Sequence, residues 1–267
     1  MAGAKHSLRI LTRAIVRLPS PNFAEGLTAA GLGAPNYELA LQQHAAYRVA
    51  LEECGLTVTC LADDPAHPDS TFVEDTALLT ERGAMLTRPG APSRSGEVQS
   101  IREVLQNLLA ASSIQTIQAP GTIDGGDVCE AGDHFFIGIS ERTNQTGGEQ
   151  LAAWLAESGF TSSFVDIRRE KTLLHLKSGV AYLGDNRLVI TDALAQRDEF
   201  AGYEHIRVTP DEEYGANCVR INDYVLIPFE CVKLAADLEK SAYQTIALEM
   251  SEFRKMDGGL SCLSLRF

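Results

Sequence analysis

Cys262 lies five residues from the C-terminus, in the run Asp257-Gly258-Gly259-Leu260-Ser261-Cys262-Leu263-Ser264-Leu265. A thiolate is a strong nucleophile, and the two glycines ahead of it let the backbone approach another group closely. A free cysteine is more often a buried structural residue, here on a terminal strand, so the thiol needs partners before chemistry is assigned to it. The usual partner is a histidine base. Of His6, His44, His67, His134, His175 and His205, His175 stands apart. Leu173-Leu174-His175-Leu176-Lys177 sets its polar ring inside a short apolar, strand-like run, although such a ring is commonly just a satisfied core residue. His67 and His134 read as loop residues and His44 as a helix residue.

Carboxylates in apolar or glycine-rich surroundings are the other informative groups, because a buried charge requires a counter-charge. Thr71-Phe72-Val73-Glu74-Asp75-Thr76-Ala77-Leu78 places two acids in a strand-like run, and Ile123-Asp124-Gly125-Gly126-Asp127-Val128 places two around a double glycine. Asp69 precedes the first pair. Each alone reads as a turn or strand edge. Together they describe an acidic pocket suited to a cation.

Short strands alternating with amphipathic helices must carry these residues. Val98–Ala111 places Ile101, Val104, Leu105, Leu108 and Leu109 on one helical face. Tyr37–Glu53 and Gly147–Ser158 read as helices as well. Strand-like runs are Leu56–Leu61, Phe72–Thr80, Gly83–Thr87, Phe135–Ile139, Val180–Leu183, Leu188–Thr191 and Tyr224–Pro228, with a hairpin at Gly184-Asp185-Asn186 and a loop at Arg88–Arg94. Asp75, Asp124 and His175 stand 49 and 51 residues apart, and Cys262 lies 87 further on, near two such steps. A period of this length suggests a propeller, whose radial repetition brings distant residues to one centre; coincidence is the alternative.

Composition sets the outer bounds. The chain has 267 residues, 45% of them hydrophobic, enough for a core without a metal or disulfide staple. Cys54, Cys60, Cys129, Cys218 and Cys231 are scattered, without a CxxC pair, and read as packing residues of a reduced, cytoplasmic protein. Basic residues interrupt the apolar N-terminal stretch, and no run is long enough to span a membrane. The formal net charge of −13 argues against nucleic acid or an anionic membrane as partner. No low-complexity linker divides the chain, so one domain over residues 1–267 is expected.

FVEDTA, DGGD, GIS-x-RTN, LHLKSG and DGGLSC occur in the order seen in dimethylarginine dimethylaminohydrolases, and the similarity runs from about Asn22 to Phe267. These enzymes belong with arginine deiminases and amidinotransferases to a guanidino-group modifying family. The resemblance implies an α/β propeller (pentein) of five ββαβ-type units around a central active site. It also implies that Cys262 matches the nucleophile, His175 the general acid/base and Asp124 its orienting carboxylate. Asp75 and Asp69 match groups that hold the guanidinium, with Glu74 in the same cluster. Arg94 and Arg142 match arginines for the α-carboxylate. Phe23 falls in a segment resembling the mobile lid (Pro21 to Pro35), and Met256 lies where a backbone carbonyl meets the substrate.

The implied activity is hydrolysis of Nω-methylated L-arginine to citrulline and a methylamine through a covalent S-alkylthiouronium. The partner is then a small cationic amino acid, with no metal and no organic cofactor. A homodimer is compatible with such an enzyme. Two alternatives stand beside it. Arginine deiminases are longer, with an inserted helical domain for which this chain has no space. A non-enzymatic, ribosome-binding protein of the same fold predicts no Cys–His–acid set.

Overall fold

The protein is described by a computed structural model that covers residues 9–110 and 113–267, so His6 and the predicted helix end at Ala111 lie outside the described residues. The strands form five three-stranded sheets. Four share one plan, an antiparallel hairpin, a helix, and a third strand parallel to the middle one. The second sheet has β3 (Ala77–Thr80), β4 (Gly83–Leu86), α2 (Glu97–Leu108) and β5 (Ile114–Thr116); the third has β6 (Val128–Ala131), β7 (His134–Ile139), α3 (Gln145–Glu157) and β8 (Thr161–Asp166). β9 (Val180–Gly184), β10 (Arg187–Ile190), α4 (Asp192–Ala195) and β11 (Glu204–Arg207) follow, then β12 (Val219–Ile221), β13 (Tyr224–Pro228), α5 (Val232–Lys240) and β14 (Gln244–Leu248). The remaining sheet closes the circle with both ends of the chain. β1 (Arg13–Arg17) pairs with β2 (Thr57–Leu61) beyond α1 (Tyr37–Glu53), and with β15 (Leu265–Arg266) in place of a hairpin.

Local sequence explains these elements. Asn36 and Asn144 accept hydrogen bonds from Leu39 N and Gly147 N, capping α1 and α3. Positive φ at Gly184, Asp185 and Asn186 makes the tight turn between β9 and β10. The apolar face of α2, with Val98, Ile101 and Leu105 buried, packs on β3 and β4. Apolar clusters of this kind join each sheet to its helix and to its neighbours.

A short 3₁₀ turn precedes the first strand of every sheet: Val73–Thr76, Gly125–Asp127, Leu176–Ser178, Pro210–Asn217 and Ser261–Leu263. The five turns stand side by side around the axis. They correct two expectations. Only Ala77–Thr80 of the 72–80 run is strand, and His175 opens a turn instead of lying in a strand. Cys60 is exposed on β2, the outer strand of its sheet, and so is not a packing residue.

Candidate active site

Cys262 sits on the single turn Ser261–Leu263, partly exposed to a cavity at one end of the axis. Gly259 N–H points to its Sγ at 3.4 Å. Gly258 cannot carry a side chain, because a Cβ there would run into the Phe72 ring. Burial, followed by the charges of Glu74 and Asp75, pushes the thiol up to about 12. The thiol is therefore held in its neutral form.

His175 faces the same cavity. Its Nε2 lies 3.0 Å from Asp124 Oδ2, and the fully buried Asp124 accepts a second bond from Gly90 N at 2.8 Å through Oδ1. Burial opposes charge on the ring, but Asp75, Asp127 and Asp124 outweigh it and raise its pKa to about 9. Burial likewise works against the Asp124 carboxylate, yet His175 and Arg94 hold it below its ordinary value. Asp127 accepts from Leu176 N at 3.0 Å and from Ser140 Oγ at 2.6 Å, which fixes the histidine turn to its neighbour. A Cβ on Gly126 would lie 2.8 Å from the imidazole and 3.0 Å from Asp75 Oδ1. The double glycine of DGGD thus lets the ring and two carboxylates meet.

Asp75 and Asp69 form an acidic wall of the cavity. Asp75 accepts from Gly126 N at 2.8 Å and Arg94 Nη1 at 2.6 Å. Arg94 is heavily engaged: Nε and Nη2 grip Glu97 at 3.0 and 2.8 Å, and Nη2 also reaches Phe72 O at 3.1 Å. Its donors hold the acids in place. Arg142 is freer, 19% exposed with Nη1 3.8 Å from Asp124 Oδ2. Asp69 accepts from Leu27 N at 3.1 Å and has its pKa raised, chiefly by burial.

Asp69, Asp75, Arg94, Arg142, His175, Met256 and Cys262 all line this cavity, with Asp124 behind His175. Glu74 does not line it. Its side chain turns to the other end of the axis, where Oε1 pairs with Lys177 Nζ at 2.7 Å and Arg266 Nη2 at 3.0 Å. There it borders a second chamber of about 450 Å³. Phe23 is fully buried, its ring 5.9 Å from Phe72 and 5.6 Å from Phe253, so it anchors the lid segment in the core and does not face the cavity. Leu27 reaches the cavity instead, with Phe72, Leu174, Asp257 and Gly258 as further wall residues missed in the sequence. The sequence carried no signal for Leu27, since its segment PNFAEGLTAAGLGAP is rich in apolar residues and has a second leucine, Leu32, beside glycines.

The cavity holds only about 20 Å³, because the lid segment is latched over it. Thr28 Oγ1 donates to Lys255 O at 2.8 Å, Ala29 N to Asp257 Oδ2 at 2.5 Å and Asn36 N to Glu252 Oε2 at 2.6 Å. Leu27, from the same segment, forms part of the cavity wall. Asp75, Asp124 and His175 also bring three potential ligand atoms within 4.8 Å, the one such group among the described residues. Arg94, a permanent cation bonded to Asp75, competes with any metal there.

A thiol, an imidazole with its own carboxylate, and paired acids at the hub of a five-unit α/β propeller define a cysteine-dependent hydrolase site for a cationic carbon. The model of the arginine deiminase family matches residues 38–213. The dimethylarginine dimethylaminohydrolase of Pseudomonas aeruginosa is 43% identical, covering 95% of this chain and 98% of its own, and that of Streptomyces coelicolor is 35% identical over 95% and 96%. The solved P. aeruginosa enzyme, a Cys-to-Ser variant complexed with citrulline, is 40% identical with a TM-score of 0.94 over 97% of this chain and 100% of that one. The N-terminal domain of ArgZ, a cyanobacterial arginine dihydrolase, shares the fold at 18% identity, with a TM-score of 0.85 over 97% of each chain. The chain belongs to the arginine deiminase family and, within it, to the dimethylarginine dimethylaminohydrolases.

Proposed function

We propose that the protein hydrolyses Nω-methylated and dimethylated L-arginine to L-citrulline and the corresponding methylamine. The observation that carries this is the convergence of Cys262 and His175 with Asp75 and Asp69 on one small cavity. The complex of the P. aeruginosa relative with citrulline supports it. So does a histidine-to-glycine dimethylarginine dimethylaminohydrolase captured as an adduct with S-methyl-L-thiocitrulline, 40% identical with a TM-score of 0.93.

Asp75 and Asp69 hold the guanidinium by charge-assisted hydrogen bonds and keep its positive charge beside the thiol. That charge offsets the acids that keep Cys262 protonated, and the thiol proton leaves to solvent as substrate binds. Sγ attacks the guanidinium carbon to form a tetrahedral adduct. His175, already imidazolium at neutral pH, protonates the dimethylamino nitrogen, and the C–N bond breaks. Dimethylamine departs and an S-alkylthiouronium remains on Cys262. Neutral His175 then takes a proton from water as its oxygen adds to the same carbon. The hydroxyl proton is lost to solvent as the C–S bond breaks, releasing citrulline and the Cys262 thiolate. Arg142, at the cavity wall and less engaged than Arg94, receives the α-carboxylate. No step calls for a metal or organic cofactor.

Incubation with dimethylarginine or with arginine, followed by colorimetric assay of citrulline, tests the assignment. Citrulline from the methylated substrate is expected. Faster turnover of unmodified arginine would make the protein a deiminase instead.

A further inference from the structure

Four of the five axial turns carry or adjoin residues already given a part: Asp75, Asp124, His175 and Cys262. The fifth, Pro210–Asn217, ends on Asn217, 42 residues after His175 and 45 before Cys262. It fills the step that the spacing of the other four left blank. Asn217 is 6% exposed and does not line the substrate cavity. Its Nδ2 donates to Lys177 O at 2.8 Å and to Ser261 Oγ at 2.9 Å, while Oδ1 accepts from Ser261 N at 3.0 Å. Lys177 belongs to the turn that His175 opens, and Ser261 opens the turn that carries Cys262. A Cβ on Gly259 would run into Asn217 Oδ1, so Asn217 also braces the residue whose N–H points at Cys262 Sγ.

We infer that Asn217 is a positioning residue that holds the Cys262 turn and the His175 turn at a fixed separation, so that nucleophile and acid–base address one carbon. An amide suits this task because it offers two donors and an acceptor in one plane without charge. A carboxylate would keep the bond from Ser261 N and lose the one to Lys177 O. Ser261 anchors the far side, its Oγ donating to Glu74 Oε2 at 2.7 Å and its carbonyl accepting from Arg266 Nη1 at 3.0 Å. Every polar atom of Ser261 is thereby fixed, and the next residue is the nucleophile. Asn217 closes the ring of turns where the chain's last repeat meets its fourth.

This inference rests on Cys262 and His175 being the reacting pair, and its test separates the two claims. Asn217→Ala and Asn217→Asp are made in the full chain and checked for folding by melting temperature. Two readouts follow: kcat and KM for dimethylarginine, and the pH dependence of Cys262 alkylation by iodoacetamide, compared with wild type and His175→Gly. The expected result is a kcat lowered about 10- to 100-fold with KM within about threefold, since small misplacement of reacting groups acts on the chemical step. The alkylation profile should move toward that of His175→Gly, because the histidine no longer stands at its set distance from the thiol. Wild-type kcat in a folded variant, or a loss confined to KM, overturns the inference. Should neither variant fold, Asn217→Gln, which keeps the amide and displaces it by one methylene, takes their place with the same readouts, and unchanged kcat there overturns it. If wild-type protein releases no citrulline, the proposed activity fails, and the alkylation profiles alone decide the role of Asn217.

Discussion

Asp124 Oδ2 lies 3.0 Å from His175 Nε2, with the carboxylate wholly buried behind the ring. The pairing holds the imidazole in one orientation and, with Asp75 and Asp127, keeps it protonated up to about pH 9. Asp124→Asn retains the shape and removes the charge. We expect kcat to fall by about 10²- to 10⁴-fold, and the alkaline limb of the pH–rate profile to move down from near 9 toward the ordinary histidine range. An unmoved limb would assign that titration to another group.

Stability should depend on pH through two histidines of opposite sense. His175 has a raised folded pKa, so its contribution is full below the unfolded value near 6.5 and is lost as pH rises through 9. His44 is fully buried, its ring nitrogens lack partners, and burial first and Arg48 second lower it to about 4. Its contribution is present above 6.5 and is lost as pH falls toward 4, on the order of 3 kcal/mol in all. Melting curves of wild type and His44→Leu across this acid range check it. The variant should lose less stability on acidification.

Arg94 and Arg142 should part company on mutation. Arg94→Ala strands Asp75 and Glu97 without their counter-charge, and breaking a buried pair of this kind typically destabilises by about 3–5 kcal/mol. Arg142→Ala should leave the melting temperature near wild type and raise KM for dimethylarginine, because it removes a contact to the end remote from the chemistry. Denaturant titration together with steady-state kinetics on both variants separates these outcomes. Equal stability of the two would contradict the structural part given to Arg94.

Cys262→Ser should abolish turnover with the fold intact. His175→Gly should still permit covalent addition and stall afterwards, since no base remains to activate water. Mass spectrometry of His175→Gly mixed with S-methyl-L-thiocitrulline, whose methanethiolate leaves without a protonating acid, should then show a lasting adduct on the peptide bearing Cys262. Steady turnover by His175→Gly would point to a different base.

Much of the fold was legible because helix and strand periodicities are local. Tyr37–Glu53, Tyr224–Pro228 and the Gly184-Asp185-Asn186 hairpin fall where their patterns place them. The 72–80 run misled because apolar residues flanking two acids look like strand, whereas tertiary hydrogen bonds to Asp75 and Glu74 stabilise a turn. Phe23 misled for a related reason: whether an aromatic ring in a lid faces substrate or core depends on partners, here Phe72 and Phe253, that lie far along the chain. Asn217 escaped notice because an asparagine before a strand has no chemistry of its own.

Residue types and order alone singled out Cys262, His175, the acids and the repeat that groups them, and the structure gathers these side chains around one cavity. Direction was decided only in three dimensions. Glu74 and Asp75 are neighbours in sequence, yet one faces Lys177 in the rear chamber and the other faces the substrate cavity. Arg94 turned out to be committed to Glu97 and Asp75, which left Arg142 the freer cation. The physical reason is the same each time. Spacing along a chain records which groups can reach the axis, and only packing around that axis settles which end each one faces and which partner it takes.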